Sequence, residues 1–273
     1  MRVAACQLSS ASDKEANLRA AMAALDQAAA ARADLAVLPE CVEYMGTPDG
    51  ARAVVEPLDG PTGKRFGAKA REHRMWVLAG SIRCAHEADG RAYNTSMLFN
   101  RDGDRVAVYK KLHLYDVEIP GRVSAKESAV VAGGNQIVNA DMEGVGLGLS
   151  ICYDIRFPEL YRLLALRGAR ILLVPAAFTL YTGKDHWELL LRARAVETQC
   201  FVIAAGQIGL YLPGKACYGR SMIIDPWGVV LACAPDRNCV ITADLDFAAQ
   251  DKVRAELPAL ANRRPDVYDL RAL

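Results

Sequence analysis

Short apolar runs and helix-period patterns alternate along this chain of 273 residues. The apolar runs have the length of strands and predict them at Val3–Leu8, Leu35–Leu38, Trp76–Ile82, Gly146–Ile151, Ile171–Val174 and Phe201–Ala205. The helical segments between them are predicted to begin near Ser12, at Thr62, at Pro158 and at His186. For the first helix, Ser12 and Glu15 have the spacing of a capping box. Alternation of this kind predicts parallel strands joined by helical crossovers.

Two hairpins are predicted beside these crossovers. Tyr93–Phe99 and Arg105–Lys110 flank a polar turn at Arg101–Asp104, and a second turn lies at Asp225-Pro226-Trp227-Gly228. Hairpins combined with parallel crossovers predict mixed α/β sheets with helices packed outside them. The sequence contains no tandem repeat, low-complexity tract or linker, so we expect residues 1–273 to form one domain.

Composition and charge narrow the classes of partner. Hydrophobic residues make up 52% and charged residues 24% of the chain, which is typical of a globular protein, and the formal net charge is +1. Lysine and arginine are scattered, which argues against a nucleic-acid or anionic-membrane surface. No window approaches the roughly 20 apolar residues of a membrane span, and the N-terminus lacks a signal-peptide pattern. We therefore expect small molecules or other subunits as partners.

The metal-ligating and thiol side chains do not form a recognisable site. The eight cysteines include no Cys-x-x-Cys pair and mostly lie in apolar runs, which predicts reduced thiols and a cytoplasmic location. The four histidines are isolated, and no His/Cys spacing is typical of a zinc or iron site. The chain therefore predicts neither a required metal nor a cofactor.

Three groups with complementary chemistry directly follow predicted strands, namely Glu40, Lys111 and Cys152. Ligands in open α/β sheets bind at the carboxyl ends of strands, so these side chains can share a pocket. A carboxylate can accept the thiol proton, and an ammonium can stabilise the oxyanion formed when a carbonyl is attacked. From the spacing alone, the alternative remains that Cys152 fills the core and that Glu40 and Lys111 are structural.

Three motifs connect these residues to a known family. They are Leu38-Pro39-Glu40, Lys110-Lys111-Leu112-His113-Leu114 and Ile151-Cys152-Tyr153-Asp154-Ile155-Arg156-Phe157-Pro158-Glu159. In this order and spacing, the chain resembles the nitrilase superfamily of carbon–nitrogen hydrolases. Further stretches look most like the Nit branch, which includes ω-amidase and deaminated glutathione amidase; they are Asp116–Gly121, Glu127-Ser128, His186–Glu188, Arg192–Ala195, Glu197–Gln199 and Asp225–Gly228.

The resemblance implies a fold and an assembly. It predicts a four-layer αββα sandwich with mixed sheets that dimerises to αββα–αββα. The helices near Pro158–Arg167 and Arg192–Gln199 are the expected dimer contact; alternatively, they only cover the sheet of a monomer.

The resemblance also implies roles for the site residues. Cys152 becomes the nucleophile, Glu40 the general base and Lys111 the oxyanion stabiliser, with the backbone N–H of Tyr153 as the second oxyanion donor. Glu127 matches a second family glutamate beside the lysine. Two ionised carboxylates around one ammonium would oppose a thiolate, so either glutamate holds a proton or Glu127 holds Lys111 in place.

Arg156 suggests the class of substrate. In relatives that act on carboxylate-bearing substrates, an arginine at this position binds the carboxylate, and Phe178-Thr179 occupies a matching pocket segment. Alternatively, Arg156 ties down Glu159 or a neighbouring subunit. The prediction is hydrolysis of a small carboxylate-bearing amide, an ω-amide of an α-keto acid or deaminated glutathione, through a cysteine thioester with release of ammonia.

Other functions remain possible on the same residues. N-carbamoyl amines and nitriles share the first attack by the cysteine, and a non-catalytic binding or scaffold protein can adopt the same fold. Cys41–Pro57 and Gly206–Ala216 do not follow one subfamily, and such loops can set the length of a pocket.

Overall fold

The computed structural model describes residues 1–86 and 90–270. The helices in chain order are α1 (Lys14–Ala30), α2 (Pro48–Ala53), α3 (Pro61–His73), α4 (Pro158–Leu166), α5 (Leu180–Thr198) and α6 (Phe247–Glu256), with 3-10 helices at Glu127–Ala129 and Cys152–Arg156. The strands in chain order are β1 (Arg2–Gln7), β2 (Leu35–Val37), β3 (Trp76–Leu78), β4 (Ile82–Ala85), β5 (Ala92–Phe99), β6 (Arg105–Lys110), β7 (Asp116–Ile119), β8 (Val123–Lys126), β9 (Val131–Ala132), β10 (Asn139–Met142), β11 (Val145–Leu149), β12 (Ile171–Ala176), β13 (Phe201–Gly206), β14 (Ile208–Leu212), β15 (Lys215–Tyr218), β16 (Met222–Ile224), β17 (Val230–Cys233) and β18 (Cys239–Asp244). Within these ranges, none of the helices combines the length and the apolarity needed to cross a bilayer.

The strands form two mixed sheets. The first has the order β18-β1-β2-β3-β5-β4, with β6 and β9 also paired to β5, and the second has the order β10-β11-β12-β13-β16-β17. The triplets β1–β3 and β11–β13 are parallel, and α1, α3, α4 and α5 lie on the connections between their strands. The predicted hairpins are confirmed as the antiparallel pairs β5–β6 and β16–β17.

Alternating side chains of β1 show how the layers pack. Val3 and Ala5 belong to the core that the two sheets share, whereas Ala4 and Cys6 pack with Leu18 of α1 on the opposite face of the sheet. Successive strand side chains point to opposite faces, so a strand that is apolar at every position must be covered on both sides. The second sheet is covered by α4 and α5, which confirms the predicted four-layer αββα sandwich.

The first helix begins one residue later than the capping-box prediction requires. The carboxylate of Asp13, rather than Ser12, accepts a hydrogen bond from the backbone N–H of Ala16 at 3.0 Å. Asn17 exchanges two hydrogen bonds with the backbone of Ala11, which fixes the preceding loop and leaves Asp13 at the cap position. The prediction of Ser12 as the cap was therefore wrong.

The helix predicted to start at His186 in fact starts at Leu180. Gly183 interrupts the helical pattern in the sequence, but it lies within the first turn of α5. A Cβ atom at Gly183 would lie 2.4 Å from the Cβ of Tyr218, so glycine permits the close approach of α5 to β15. Tertiary packing therefore explains why a glycine stands in the first turn of this helix.

The strand predicted over Trp76–Ile82 is interrupted after Leu78, and β4 begins at Ile82. Gly80, at the interruption, has a φ of +60°, and a Cβ atom there would lie 2.0 Å from the carbonyl oxygen of Pro39. Any other residue would clash with Pro39 here, and only glycine adopts this positive φ at low cost. The bend supports the backbone that immediately precedes Glu40.

Candidate active site

The side chains of Glu40, Lys111 and Cys152 meet at a cavity of about 930 Å³. Each residue lies just beyond the carboxyl end of a strand, namely β2, β6 and β11. The first two strands belong to one sheet and the third to the other, so the site lies where the two sheets face each other. The expectation that the three residues share a pocket agrees with this geometry.

Lys111 is enclosed by two carboxylates. Its Nζ donates to Oε1 of Glu40 at 2.8 Å and to Oε2 and Oε1 of Glu127 at 2.9 and 3.2 Å. Only 2% of the Lys111 side chain is exposed, so these pairs are shielded from solvent. Buried charges are retained in proteins when they are paired and hydrogen-bonded, as here.

The carboxylate of Glu40 is held by two further donors. The backbone N–H of Ala177 donates to Oε2 at 2.7 Å, and Nδ2 of Asn94 donates to Oε1 at 2.8 Å. The same Nδ2 also donates to Oε1 of Glu127 at 3.2 Å. Asn94 therefore bridges the two carboxylates through oxygens that Lys111 also contacts, and its own carbonyl oxygen has no hydrogen-bond partner among the described residues.

These contacts set the charge state of the three groups. Burial opposes ionisation of Glu40, but the Lys111 ammonium holds the pKa of this carboxyl below its usual value. Burial also opposes the charge of Lys111, yet Glu127 and Glu40 raise its pKa well above the usual value. Burial and the charge of Glu40 raise the pKa of the Cys152 thiol, against the effect of Lys111. At neutral pH the resting site therefore holds a carboxylate, an ammonium and a neutral thiol.

Cys152 adopts a strained backbone conformation at the start of the 3-10 helix. Its φ is +48°, in the left-handed region that non-glycine residues rarely enter. The fully buried carboxylate of Asp154 accepts a hydrogen bond from the backbone N–H of Ile151 at 2.8 Å, on the other side of the cysteine. This bond closes a tight loop around Cys152, and such strain persists only where surrounding contacts enforce it.

Asp154 also ties this loop to the segment that carries Lys111. Its oxygens accept from the hydroxyl of Tyr109 at 2.7 Å and from the backbone N–H of His113 at 3.1 Å. The Nδ1 atom of His113 lies 2.7 Å from the same carboxylate, and its ring stacks on Phe157 at 3.6 Å. His113 therefore positions other groups and does not itself face the cavity.

Three of the four predicted substrate-binding residues line the cavity, and the fourth does not. Tyr153, Phe178 and Thr179 line the cavity, and the hydroxyl of Thr179 lies 2.8 Å from that of Thr182. Arg156 is not among the lining residues. Its guanidinium carbon lies 5.1 Å from the ring centre of Phe178 and 5.8 Å from that of Tyr153, at the rim.

Arg156 does not contact Glu159, which was one of its alternative partners in the sequence analysis. Its two terminal nitrogens lie 3.3 and 3.4 Å from Nδ1 of His186. Among the described residues, no carboxylate, including that of Glu159, forms an ion pair with Arg156. The fork of the guanidinium therefore has capacity for an added carboxylate.

Two groups of the site were missed in the sequence. Asn94 interrupts the apolar strand β5, and an asparagine in such a strand was the available signal, because this residue type is depleted there. The backbone N–H groups of Ala177 and of Tyr115, which donates to Glu127 at 2.7 Å, carry no sequence signal.

Outside the cavity, the described residues contain one cluster of potential metal ligands, formed by Asp26, Glu72 and His73. Asp26 already accepts a hydrogen bond from Lys69 at 2.6 Å, and its Oδ1 lies 2.6 Å from Nε2 of His73. We assign no function to this surface cluster, because exposed acidic groups of this kind are common without an ion.

The raised pKa of Cys152 leads to a spectroscopic prediction. The protonated form of Cys152 should persist above the ordinary thiol pKa of about 8.5. The measurement is the far-ultraviolet thiolate absorbance of the wild type from which that of Cys152→Ser is subtracted. This difference should be absent at neutral pH. Glu40→Gln removes the neighbouring negative charge, so in that background the difference should appear at lower pH. A thiolate band at neutral pH in the wild type would contradict the assigned charge state.

Comparison with known proteins places this chain in a family. The model of the carbon-nitrogen hydrolase family matches residues 2–255. The deaminated glutathione amidase of Synechocystis is 41% identical over 265 residues, which cover 95% of this chain and 97% of the relative. The nitrilase and fragile histidine triad fusion protein NitFhit of Caenorhabditis elegans is 39% identical over 271 residues, and the chain spans 98% of its own length but only 62% of that relative.

Solved structures agree with this assignment. The crystal structure of C. elegans NitFhit superposes with a TM-score of 0.91 at 39% identity, covering 98% of this chain and 66% of that one. Saccharomyces cerevisiae Nit3, of branch 10 of the nitrilase superfamily, gives 0.87 at 32% identity and covers 97% and 96% of the two chains. A mutant amidase from Nesterenkonia sp. AN1 gives 0.82 at 26% identity, covering 98% and 95%, and shows covalent addition of the acetamide moiety of fluoroacetamide at its active-site cysteine. The chain therefore belongs to the carbon-nitrogen hydrolase family, whose members cleave carbon–nitrogen bonds other than peptide bonds.

Proposed function

We propose that this protein hydrolyses the amide of a small carboxylate-bearing substrate, with Cys152 as nucleophile, Glu40 as general base and Lys111 as oxyanion stabiliser. The observation that carries the proposal is the contact of a buried ammonium with two carboxylates beside a thiol. Relatives that are about 40% identical and are named deaminated glutathione amidase support an amide of this class.

In the first step, the sulfur of Cys152 attacks the amide carbonyl carbon, and Glu40 accepts the thiol proton. The C–S bond forms as the π electrons of the carbonyl move to its oxygen. An ammonium has three N–H donors, and Lys111 can direct one to this oxyanion while the others stay on the carboxylates. The backbone N–H of Tyr153 lies in the first turn of a 3-10 helix, where N–H groups lack intrahelical partners, and serves as the second donor.

In the second step, the C–N bond breaks and the protonated Glu40 gives its proton to the leaving amine. The resulting thioester on Cys152 is attacked by water, Glu40 again accepts a proton, and the product carboxylic acid and the thiol are released. A primary ω-amide releases ammonia. Deaminated glutathione contains a secondary amide at this position and releases cysteinylglycine instead, so an assay for ammonia detects only the first kind of substrate.

In this proposal Glu127 is a positioning residue. It shares Lys111 with Glu40, and it accepts the backbone N–H of Tyr115 at 2.7 Å, which fixes its own orientation. Glu127 raises the pKa of Lys111 and so keeps it protonated, while burial and Glu40 raise the pKa of Cys152 and keep it neutral until substrate arrives. The sulfur therefore loses its proton at the moment of attack rather than before it.

Substitutions at the three groups test the mechanism. Cys152→Ala should abolish turnover, and Glu40→Gln and Lys111→Met should each lower kcat by about a hundredfold or more, since an oxyanion donor is worth ~10²–10³ and acid–base catalysis ~10²–10⁴. Intact mass spectrometry of wild type quenched during turnover should show an acyl adduct on Cys152. The matched control is Cys41→Ala, which removes another thiol that lines the cavity and should retain activity. An adduct on Cys41, or an active Cys152→Ala protein, would refute the assignment.

Arg156 supplies the proposed carboxylate contact, with Phe178 and Thr179 forming the adjacent wall. Loss of one partner of a desolvated charge pair typically costs ~2–5 kcal/mol, so Arg156→Met should lower kcat/KM for an α-keto acid ω-amide by more than about tenfold. Arg156→Lys keeps the charge but not the fork, and should be intermediate. A neutral aliphatic amide is the control substrate and should lose much less. Equal losses on the two substrates would leave Arg156 as a structural residue.

The proposal includes self-association of a single-domain, cytoplasmic protein. The α5 side chains of Leu189 and Val196 are 67% and 49% exposed on one helical stripe, and Trp227 nearby in the fold is 63% exposed. Val196 contacts Gly228 of the same turn, so these apolar groups form one surface. A surface of this kind favours burial against another subunit.

Light scattering tests the assembly. The wild type should have a mass of at least twice the 29.6 kDa of one chain, and Leu189→Glu should reduce it by placing a charge in the contact. Glu188→Gln, an exposed change next to Leu189, is the control. A wild-type mass near that of one chain at micromolar concentration would rule out the dimer.

A further inference from the structure

Asn94 contacts all three charged residues of the site. Its Nδ2 donates to Oε1 of Glu40 at 2.8 Å and to Oε1 of Glu127 at 3.2 Å. Its backbone carbonyl oxygen accepts the backbone N–H of Lys111 at 2.9 Å, next to the pairing of β5 with β6. Only 3% of Asn94 is exposed. The strand therefore holds the amide at a fixed place between the two carboxylates and the segment that carries the ammonium.

The surroundings of the Asn94 amide allow one orientation. An ionised carboxylate only accepts hydrogen bonds, so a reversed amide would set its carbonyl oxygen against two negative groups. Both N–H bonds are therefore directed at Glu40 and Glu127. The carbonyl oxygen is buried and has no hydrogen-bond partner within the described ranges, which is unfavourable. Packing alone does not account for an asparagine at this position.

The donors around Glu40 are divided unequally between its two oxygens. A carboxylate offers about four lone-pair positions, two on each oxygen. Oε1 accepts from Asn94 and from Lys111, both at 2.8 Å, so its two positions are filled. Oε2 accepts from the backbone N–H of Ala177 at 2.7 Å. One position on the carboxylate therefore remains for the thiol proton, and it lies on Oε2.

The thiol of Cys152 lies on the same side of the carboxylate. Its pKa is raised by burial and by Glu40, and it is lowered by Lys111 and by the backbone N–H of Ala177. A neutral peptide N–H acts on a thiol mainly at hydrogen-bonding distance. The sulfur is therefore next to the N–H that also binds Oε2, and the remaining lone pair of Oε2 is the one within its reach.

We propose that Asn94 is a positioning residue for the general base: together with Lys111 it occupies Oε1 of Glu40, so that Oε2 takes the thiol proton and later delivers it. This inference rests on the proposed function. The S–H bond breaks as the O–H bond forms on Oε2, and the same proton passes to the leaving amine when the C–N bond breaks. A neutral donor also favours the ionised carboxylate, and it does so without adding a charge beside the thiol.

Infrared difference spectroscopy tests this role without turnover. In Cys152→Ala protein, the carboxylic acid band that Glu40→Gln removes reports protonated Glu40. Adding Asn94→Ala should move the midpoint of this band upwards by at least about one pH unit, because a hydrogen bond to a charged group is worth about one to two pKa units. Asn94→Leu keeps the volume of the side chain and should give the same shift.

The other titratable groups that act on Glu40 stay in place in these variants. They are Lys111, Glu127, Cys41, Tyr211 and Cys217. A shift of the midpoint is therefore due to the lost amide. An unmoved midpoint in both Asn94 variants would overturn the proposal.

Kinetics separates positioning from structural support. The acidic limb of kcat/KM reports the base of the free enzyme, and it should move upwards in Asn94→Ala, with kcat at least about tenfold lower. In a Glu40→Gln background the same substitution should cost less than about twofold, since Asn94 acts through Glu40. A full tenfold loss in that background would show that Asn94 supports the fold and not the base.

Asn139→Ala is the matched control. The carbonyl oxygen of Asn139 is also buried and unpartnered among the described residues, but its Nδ2 donates to the carbonyl oxygen of Leu164 at 3.0 Å, away from the carboxylates. This variant should leave the infrared midpoint and the acidic limb unchanged. If the midpoint moves in the Asn94 variants but the wild type hydrolyses no amide, the proposed function fails and the positioning of Glu40 stands.

Discussion

The ammonium of Lys111 lies between the buried carboxylate of Glu40 and the partly buried carboxylate of Glu127, and the neighbouring groups are arranged around it. Its contacts with Glu40 and Glu127 are largely shielded from solvent, so removing Lys111 would leave two carboxylates without their counter-charge. Asn94 and the backbone of Ala177 bind further oxygen lone pairs of Glu40. The cluster is therefore stable as a unit, and burial together with the charge of Glu40 raises the pKa of the Cys152 thiol, so that it stays protonated.

Such a cluster requires the fold to place three chain segments accurately. One sheet supplies two of these segments, after β2 and β6, and the other sheet supplies the third, after β11. Gly80 lets the chain pass within contact of Pro39, next to Glu40, and Asp154 links the turn at Cys152 to the segment after β6. Positions that violate ordinary local preferences, such as the left-handed Cys152, thus lie where the site needs them.

The sequence was sufficient to predict the layers and to bring Glu40, Lys111 and Cys152 to one expected pocket, which the cavity agrees with. Apolar runs such as Ile171–Val174 must be covered on both faces, and three motifs in order carried the family resemblance. It was insufficient where tertiary contact overrides local pattern. The helix was predicted to begin at His186 rather than at Leu180, because the contact of Gly183 with Tyr218 cannot be seen in the sequence. The amide of Asn94 and the N–H of Ala177 were missed since long-range pairing, not residue type, brings them to Glu40.

The hairpins β7–β8 and β14–β15 form two-stranded ladders apart from both main sheets. Inserting a residue into a main-sheet strand would turn its side chains to the opposite face, but lengthening a hairpin at its turn leaves the main-sheet registers intact. The turns at Gly121 and Gly214 can therefore change in length or composition while the floor of the cavity stays as it is. Evolution can therefore change which substrates enter the cavity by altering these hairpins. The residues proposed to react, Glu40, Lys111 and Cys152, need not change.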